Sequence, residues 1–404
     1  MTEQVKLSIT DAKELTKSLE STLLVSAKAR SVSSELFFQV IALRDKSDSA
    51  LNEFRELLKV IQAIPALQFF DQSYQYALGY QNKVDFYFLI GWLISRAQQV
   101  GAKQTIKDLT KYLAADTVKL TEILAIDGLR ANTEIKFGEY KLVDWSSVTE
   151  TDTKFQMKAR GFFSVVFPDA AFIRQHKVPK THLPKYPQSL PKSLEPILDM
   201  LYCVTASVGE GIRIIHYWFE PEPWVPWKII PHTFRIDSRS FYTPVELSSE
   251  MMTQIRKCLS DFQTLDDNTK LRFRIPLDRL NRSYLARDSV GKAIELGIAL
   301  ESLYAPTKLS EGIANTIRIR AARFLGGSLE QRQKIVETLK DVYDIRSLAI
   351  HTGRFDAEGA KKKWRDDTVV SEVLKAGQIL VARSLIKMII KGEPKWEEFD
   401  IARS

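Results

Sequence analysis

Apolar residues recur at helical spacing along most of the chain, and a central stretch switches to a period of two. Leu51, Phe54, Leu57, Leu58 and Ile61 form an i, i+3, i+4, i+7 stripe that Pro65 closes. Leu23, Leu24, Ala27 and Ala29 belong to a helix before it, and helical patterns follow over 84–100 and 103–124. From about Asn132, Ile135, Phe137, Tyr140 and Leu142 alternate with charged residues about Gly138, which predicts a hairpin. Residues 155–167 and 211–219 continue the strand-like pattern, and Pro168, Pro179, Pro184, Pro187 and Pro191 mark long loops between them.

Helical periodicity returns near Glu246 and holds to the end. Residues 280–304 give the longest clean pattern, with Val290, Ile294, Leu300 and Leu303 on a wide apolar stripe that Pro306 stops. In 310–325, Ile313, Ile317, Ala321 and Phe324 mark one face, while Arg318, Arg320 and Arg323 crowd the rest. Ser328 and Gln331 then form an S-x-x-Q capping box that starts a new helix at Leu329. Its apolar positions include Ile335, Leu339, Val342, Tyr343 and Ile350, and Gly353 stands where a left-handed residue would end it. A charged loop, 354–367, precedes a final helix over 368–391. The expected fold is mainly α with a β-containing middle domain (α+β). Residues 1–126 form a helical region, 127–245 the β-containing domain, and 246–404 an up-and-down helical bundle.

Composition narrows the setting. A 404-residue chain with 45% hydrophobic and 27% charged residues is an ordinary globular protein, large enough for two or three cores. The net charge is +8, yet residues 1–130 hold 16 Lys and Arg against 15 Asp and Glu, so the excess lies in the later two thirds. That suits a polyanion such as RNA as well as a solvated basic face. Cys203 and Cys258 lack metal spacing and read as unrelated, buried, reduced thiols, which points to the cytoplasm. The longest apolar run, 86–94, is half of what a membrane crossing needs, so no membrane partner is expected. His176, His182, His216 and His232 show no i, i+4 or H-x-H pairing, so neither a metal nor another cofactor is expected. The loop 220–227, with Trp224 and Trp227, could stack on unpaired bases, but tryptophans folded back onto the sheet fit it better.

Candidate chemistry concentrates in Asp341 to Gly353, DVYDIRSLAIHTG. Arg346 falls on the line of Leu339, Val342 and Ile350, where a charge needs a partner, and Glu301 is an equal anomaly between Leu300 and Leu303. A Glu301 contact with Arg318, Arg323 or Arg346 would satisfy both. Ser347 and His351 are four apart and share a face, whereas Arg346 and His351 lie about 140° from each other on an ideal helix. The arginine must therefore wrap round, or a second copy of the helix must complete the site. RNA carries its nucleophile in the 2′-OH, so cleavage needs a base, an acid and positive charge beside the phosphate. His351 can take the first two roles, Arg346 the third, and Ser347 can bond the imidazole or the phosphate. A purely structural reading makes the Arg and His packing and capping residues of a helix C-terminus.

Three segments in order, IALESL with Glu301, RIRAARFLGG with Arg318 and Arg323, and YDIRSLAIHTG with Arg346, Ser347 and His351, resemble a HEPN domain of the Apea-like branch. These are small helical bundles with an R-x4-6-H motif, and the resemblance covers about 246–395. It implies a homodimer through the bundle with two motifs facing each other across a cleft. It also implies metal-independent RNA endonuclease activity in toxin or phage-defence systems. Arg346, His351 and Ser347 are then the expected catalytic residues, with Glu301, Arg318 and Arg323 supporting them. The remainder of the chain would sense a phage-derived trigger or an antitoxin. A catalytically inactive HEPN-like dimer that binds RNA or protein is the competing expectation.

Overall fold

The computed structural model describes residues 6–28, 50–71, 73–76, 80–83, 86–149, 154, 168–179, 190–226, 232–233, 244–306, 312–355 and 361–401. Among the described residues four helices lead: α1 (Ile9–Lys28), α2 (Ala50–Ala63), α3 (Phe86–Val100) and α4 (Ala102–Ala114). A small hairpin of β1 (Ser73–Tyr76) and β2 (Tyr80–Lys83) lies between α2 and α3. Leu15 and Leu19 of α1 and Leu57 and Ile61 of α2 are fully buried or nearly so, as their spacing requires. The apolar run beginning at Phe86 is α3, and no helix among the described residues is long and apolar enough to cross a membrane.

The expected helix over 103–124 stops at Ala114. Its second half is β3 (Thr117–Asp127), the central strand of a six-stranded antiparallel sheet ordered β5-β6-β7-β3-β8-β9. From Glu122 to Ile126 both faces of β3 are buried, so its apolar residues there run on without the alternation that its first half keeps. Leu120, Leu124 and Ile126 join the main core, while Ile123 and Ala125 pack on the opposite face with Val143, Trp145 and Trp218. The hairpin about Gly138 forms as β5 (Ile135–Phe137) and β6 (Tyr140–Asp144), with Gly138 at a φ of 59°. β8 (Arg213–Pro221) and the short β9 (His232–Thr233) complete one edge.

The loops expected between residues 168 and 191 give way to β7 (Ala170–Pro179), paired with β3, and the start of α5 (Leu190–Val208), which accommodates Pro191 and Pro196. Residues 155–167 and 180–189, and with them His182, lie outside the described residues, as does Trp227. Trp224 packs against the core beneath Lys111, whose ammonium stands 4.0 Å from its ring, so this indole is folded back.

The second half is helical: α6 (Ser249–Thr264), α7 (Asp267–Leu285), α8 (Ser289–Tyr304), α9 (Ile313–Leu325), α10 (Leu329–Thr352), α11 (Asp367–Lys391) and α12 (Trp396–Ile401). The single helix expected over 280–304 is broken at Ala286, which is extended, and α8 restarts under the Asp288 cap, whose carboxylate accepts from the Gly291 N–H at 2.7 Å. The expected divisions at 126/127 and 245/246 fall inside β3 and inside β10 (Val245–Glu246), which pairs with β4 (Leu129–Arg130). Asp199 of α5 binds Arg274 of α7 through two 2.8 Å bonds, and one apolar core runs from Leu7 to Ile389. Cys203 and Cys258, far apart in sequence, are free, buried and hydrogen-bonded to each other, which with burial pushes the Cys203 thiol well up.

On β8, burial holds His216 neutral, with its pKa pushed down from 6.5 to about 4. The unfolded imidazole protonates first as pH falls, so this contribution to stability is complete above pH 6.5 and is lost on the way down through pH 4. Denaturant unfolding at pH 7.5 and 4.5 should therefore show a loss smaller in His216→Gln than in the parent, by on the order of 2–3 kcal/mol. Equal losses would contradict the burial effect.

Candidate functional site

Helix α10 carries the expected site, and the signals that start and stop it are those in its sequence. Ser328 Oγ accepts from the Gln331 N–H at 3.2 Å, and Gln331 Oε1 accepts from the Ser328 N–H at 2.9 Å. Gly353, with φ at 65°, closes the other end in the left-handed region. Between them Ile335, Leu339, Val342, Ile345 and Ala349 are buried against α8, α9 and α11. Ile350, expected on that line, is half exposed.

Arg346 leans across α8. Its Nη2 lies 3.0 Å from Glu301 Oε1, which joins the two anomalies of the sequence in one ion pair. The pair is three-quarters covered on the arginine side and two-thirds on the glutamate side. The guanidinium carbon sits 5.7 Å from the centre of the Tyr343 ring. Arg346 Nε and the Tyr343 hydroxyl are buried with no hydrogen-bond partner, and Nη1 bonds to none of the described residues. The Tyr343 phenol is pushed up by burial first and by the Glu301 charge, against the pull of Arg346 and Arg318.

Ser347 and His351 stand exposed on another side of the same helix end. Among the described residues no hydrogen bond or ion pair joins Arg346 to either of them. The helical geometry that separates Arg346 from His351 is thus kept, and the arginine does not wrap round. A 3-10 turn, Lys362–Arg365, is pinned to the middle of α10 by Lys361 on Asp344 (2.5 Å) and Lys363 on Asp341 (2.8 Å), with Trp364 buried beneath. Lys362 and Arg365 remain exposed on that turn.

The arginines of α9 divide. Arg318 bonds within its own helix, to the Ala314 carbonyl at 3.0 Å and Asn315 Oδ1 at 3.2 Å, and reaches the site only through its field on Tyr343. Arg323 is not at the site: it donates to the Asp400 carbonyl at 2.9 Å and lies 5.0 Å from the Phe399 ring. It belongs with Arg320 to a C-terminal latch. Arg320 is 5% exposed, bonds the Asp400 carboxylate through Nε at 3.1 Å and Nη2 at 2.6 Å, and donates to the Tyr304 carbonyl at 2.8 Å. Arg320, Tyr343 and Gly297 carried no functional mark in the sequence. Only the crowding of three arginines on one short helix hinted that some of them were structural.

Among the described residues no group of three His, Cys, Asp or Glu side chains is arranged to hold a metal ion. Elsewhere, buried Glu122 on β3 accepts from Arg174 (2.9 Å) and Tyr217 (2.9 Å) and lies 2.6 Å from His176 Nε2, a satisfied network on the helix-facing side of the sheet. Comparison with protein-family models, with curated proteins and with solved structures gave no match.

The two arginine contacts should separate in stability. Arg320→Ala empties a buried guanidinium site and removes its bonds to the Tyr304 carbonyl and the partly exposed Asp400 carboxylate, so urea denaturation should show a loss of about 1.5–3 kcal/mol. Arg346→Ala breaks a partly solvated pair and should cost about 1 kcal/mol or less. A comparable loss in both would make Arg346 a structural arginine.

Proposed function

We propose that the chain is a metal-independent RNA endonuclease of HEPN type, in which a two-fold pair of bundles composes each site from α10 of both copies. The single observation behind this reading is the disposition of one helix end. Arg346 is held toward Glu301, with Nη1 bonded to none of the described residues, while Ser347 and His351 face outward. An arginine kept on the core line and a histidine in solvent cannot meet a phosphate together within one chain, but a second copy brings each to the other.

The chemistry then balances without a further reactant. The His351 imidazole takes the proton from a ribose 2′-OH, the 2′-oxygen attacks the adjacent phosphorus, and the 5′-oxygen leaves with a proton from the imidazolium. The products are a 2′,3′-cyclic phosphate and a 5′-hydroxyl. Arg346 stabilises the charge that grows on the non-bridging oxygens, and Ser347 orients the phosphate or the imidazole. Glu301 keeps the guanidinium in place, and Lys362 and Arg365 help hold the RNA backbone. The three HEPN-like segments support the same reading. They favour a bacterial, cytoplasmic role in defence or toxicity, with residues 1–245 sensing a trigger or an antitoxin. A dimer that binds RNA without cutting it is the second reading, favoured by an exposed His351 that no described residue orients.

Purified protein incubated with total RNA in EDTA should leave fragments with cyclic phosphate ends. His351→Ala and Arg346→Ala should each slow this by about 100-fold or more. RNA that is retained on the wild type but never cut would overturn the enzyme reading in favour of the binding module.

A further inference from the structure

We propose that Gly297 is the positioning residue for the Arg346 guanidinium: the side chain absent from α8 at this point is the slot in which the arginine lies. The functional half of this inference rests on the ribonuclease reading above, and the structural half does not.

Gly297 is a buried position in the middle of α8, where alanine is the better helix former. Its backbone is ordinary helix, so conformational freedom does not explain the glycine. Space does. A Cβ built there would stand 2.2 Å from Arg346 Cδ, 2.4 Å from Nε and 3.1 Å from Cγ, far inside van der Waals contact. Every one of these atoms belongs to Arg346 and none to backbone. Glu301 follows one turn later on the same face of α8, so the slot leads the aliphatic part of the arginine to the carboxylate that receives Nη2. Tyr343, one turn before Arg346, lies beneath the guanidinium.

The buried, unbonded Nε–H fits this picture. An arginine free to choose its rotamer would turn that donor to water, because leaving it unpaired is unfavourable. Threaded past Gly297, Arg346 gives up this bond and gains a fixed direction. Its Nη2 is directed to Glu301, and among the described residues it makes no bond to His351 on its own helix.

Filling the slot separates position from stability. The obstacle to a methyl group at 297 is a flexible side chain, so Gly297→Ala displaces Arg346 rather than unfolding α8, and helix propensity favours the alanine. The test compares wild type, Gly297→Ala and Arg346→Lys in three readouts. In 15N-detected spectra the wild type should show a slowly exchanging arginine Nε–H, assigned by its disappearance in Arg346→Lys. In Gly297→Ala it should exchange rapidly. The alanine variant should melt at the wild-type temperature or above it, and should cleave RNA at least tenfold more slowly, through kcat rather than KM. A protected Nε–H and wild-type rates in Gly297→Ala would overturn the proposal. So would a fall in melting temperature matching the fall in activity, which would make 297 a packing glycine. If the wild type cuts no RNA, the ribonuclease reading fails, and the Nε–H exchange alone decides the slot.

Discussion

One charge contact between two crossing helices governs the candidate site: Arg346 of α10 on Glu301 of α8, 3.0 Å apart. A guanidinium on the core line of a helix must either be paired or pull its helix toward solvent. Here it is paired, and Ile345 and Ala349 on either side stay buried. The same contact points the arginine away from His351. A motif that looks contiguous in sequence is thereby divided between two sides of one helix end, with Arg346 on Glu301 and His351 exposed.

The rest of the bundle holds that contact still. Arg320 binds the Tyr304 carbonyl at the end of α8, three residues past Glu301, and is itself fixed by Asp400 of α12. Phe324 packs edge to face on Tyr304 and Trp396, as Trp396 does on Phe399, around this junction. At the other end, Asp266 and Asp288 cap α7 and α8, and Asn281 bonds both backbone groups of Ile212, which ties the bundle to the edge of the sheet. The helix that supplies Glu301 is therefore anchored at both ends by side chains outside the site. The β-containing region shares its core, so a trigger bound there would have a packed route to α8 through α5 and α7.

What could be read from the sequence was what local physics decides. The Ser328–Gln331 box, the Gly353 terminus and the Gly138 hairpin are each set by a few neighbouring residues and appear where the pattern placed them. The Glu301–Arg346 pair was legible as two charges out of place on apolar stripes. β3 was misread because burial on both faces from Glu122 to Ile126 gives a continuous apolar run that does not distinguish strand from helix. The break at 286–288 was missed because the apolar periodicity of α7 and α8 runs through it, and only the Asp288 cap betrays it. Arg323 was misassigned because its partner, Asp400, lies 77 residues away and carries no local signal. Gly297 was invisible for a related reason: a glycine explained by a side chain on another helix leaves no trace in its own surroundings.

The proposed site, shared between two copies, makes a demand that no single-chain mechanism makes. When Arg346→Ala and His351→Ala proteins are mixed and allowed to exchange subunits, the mixed dimer holds one site with both residues intact and one with neither. RNA cleavage measured on that mixture should recover to about a quarter of the wild-type rate, since half of the dimers are mixed and each carries one complete site. A mixture as inactive as its two components, with subunit exchange verified, would contradict a site built from two copies.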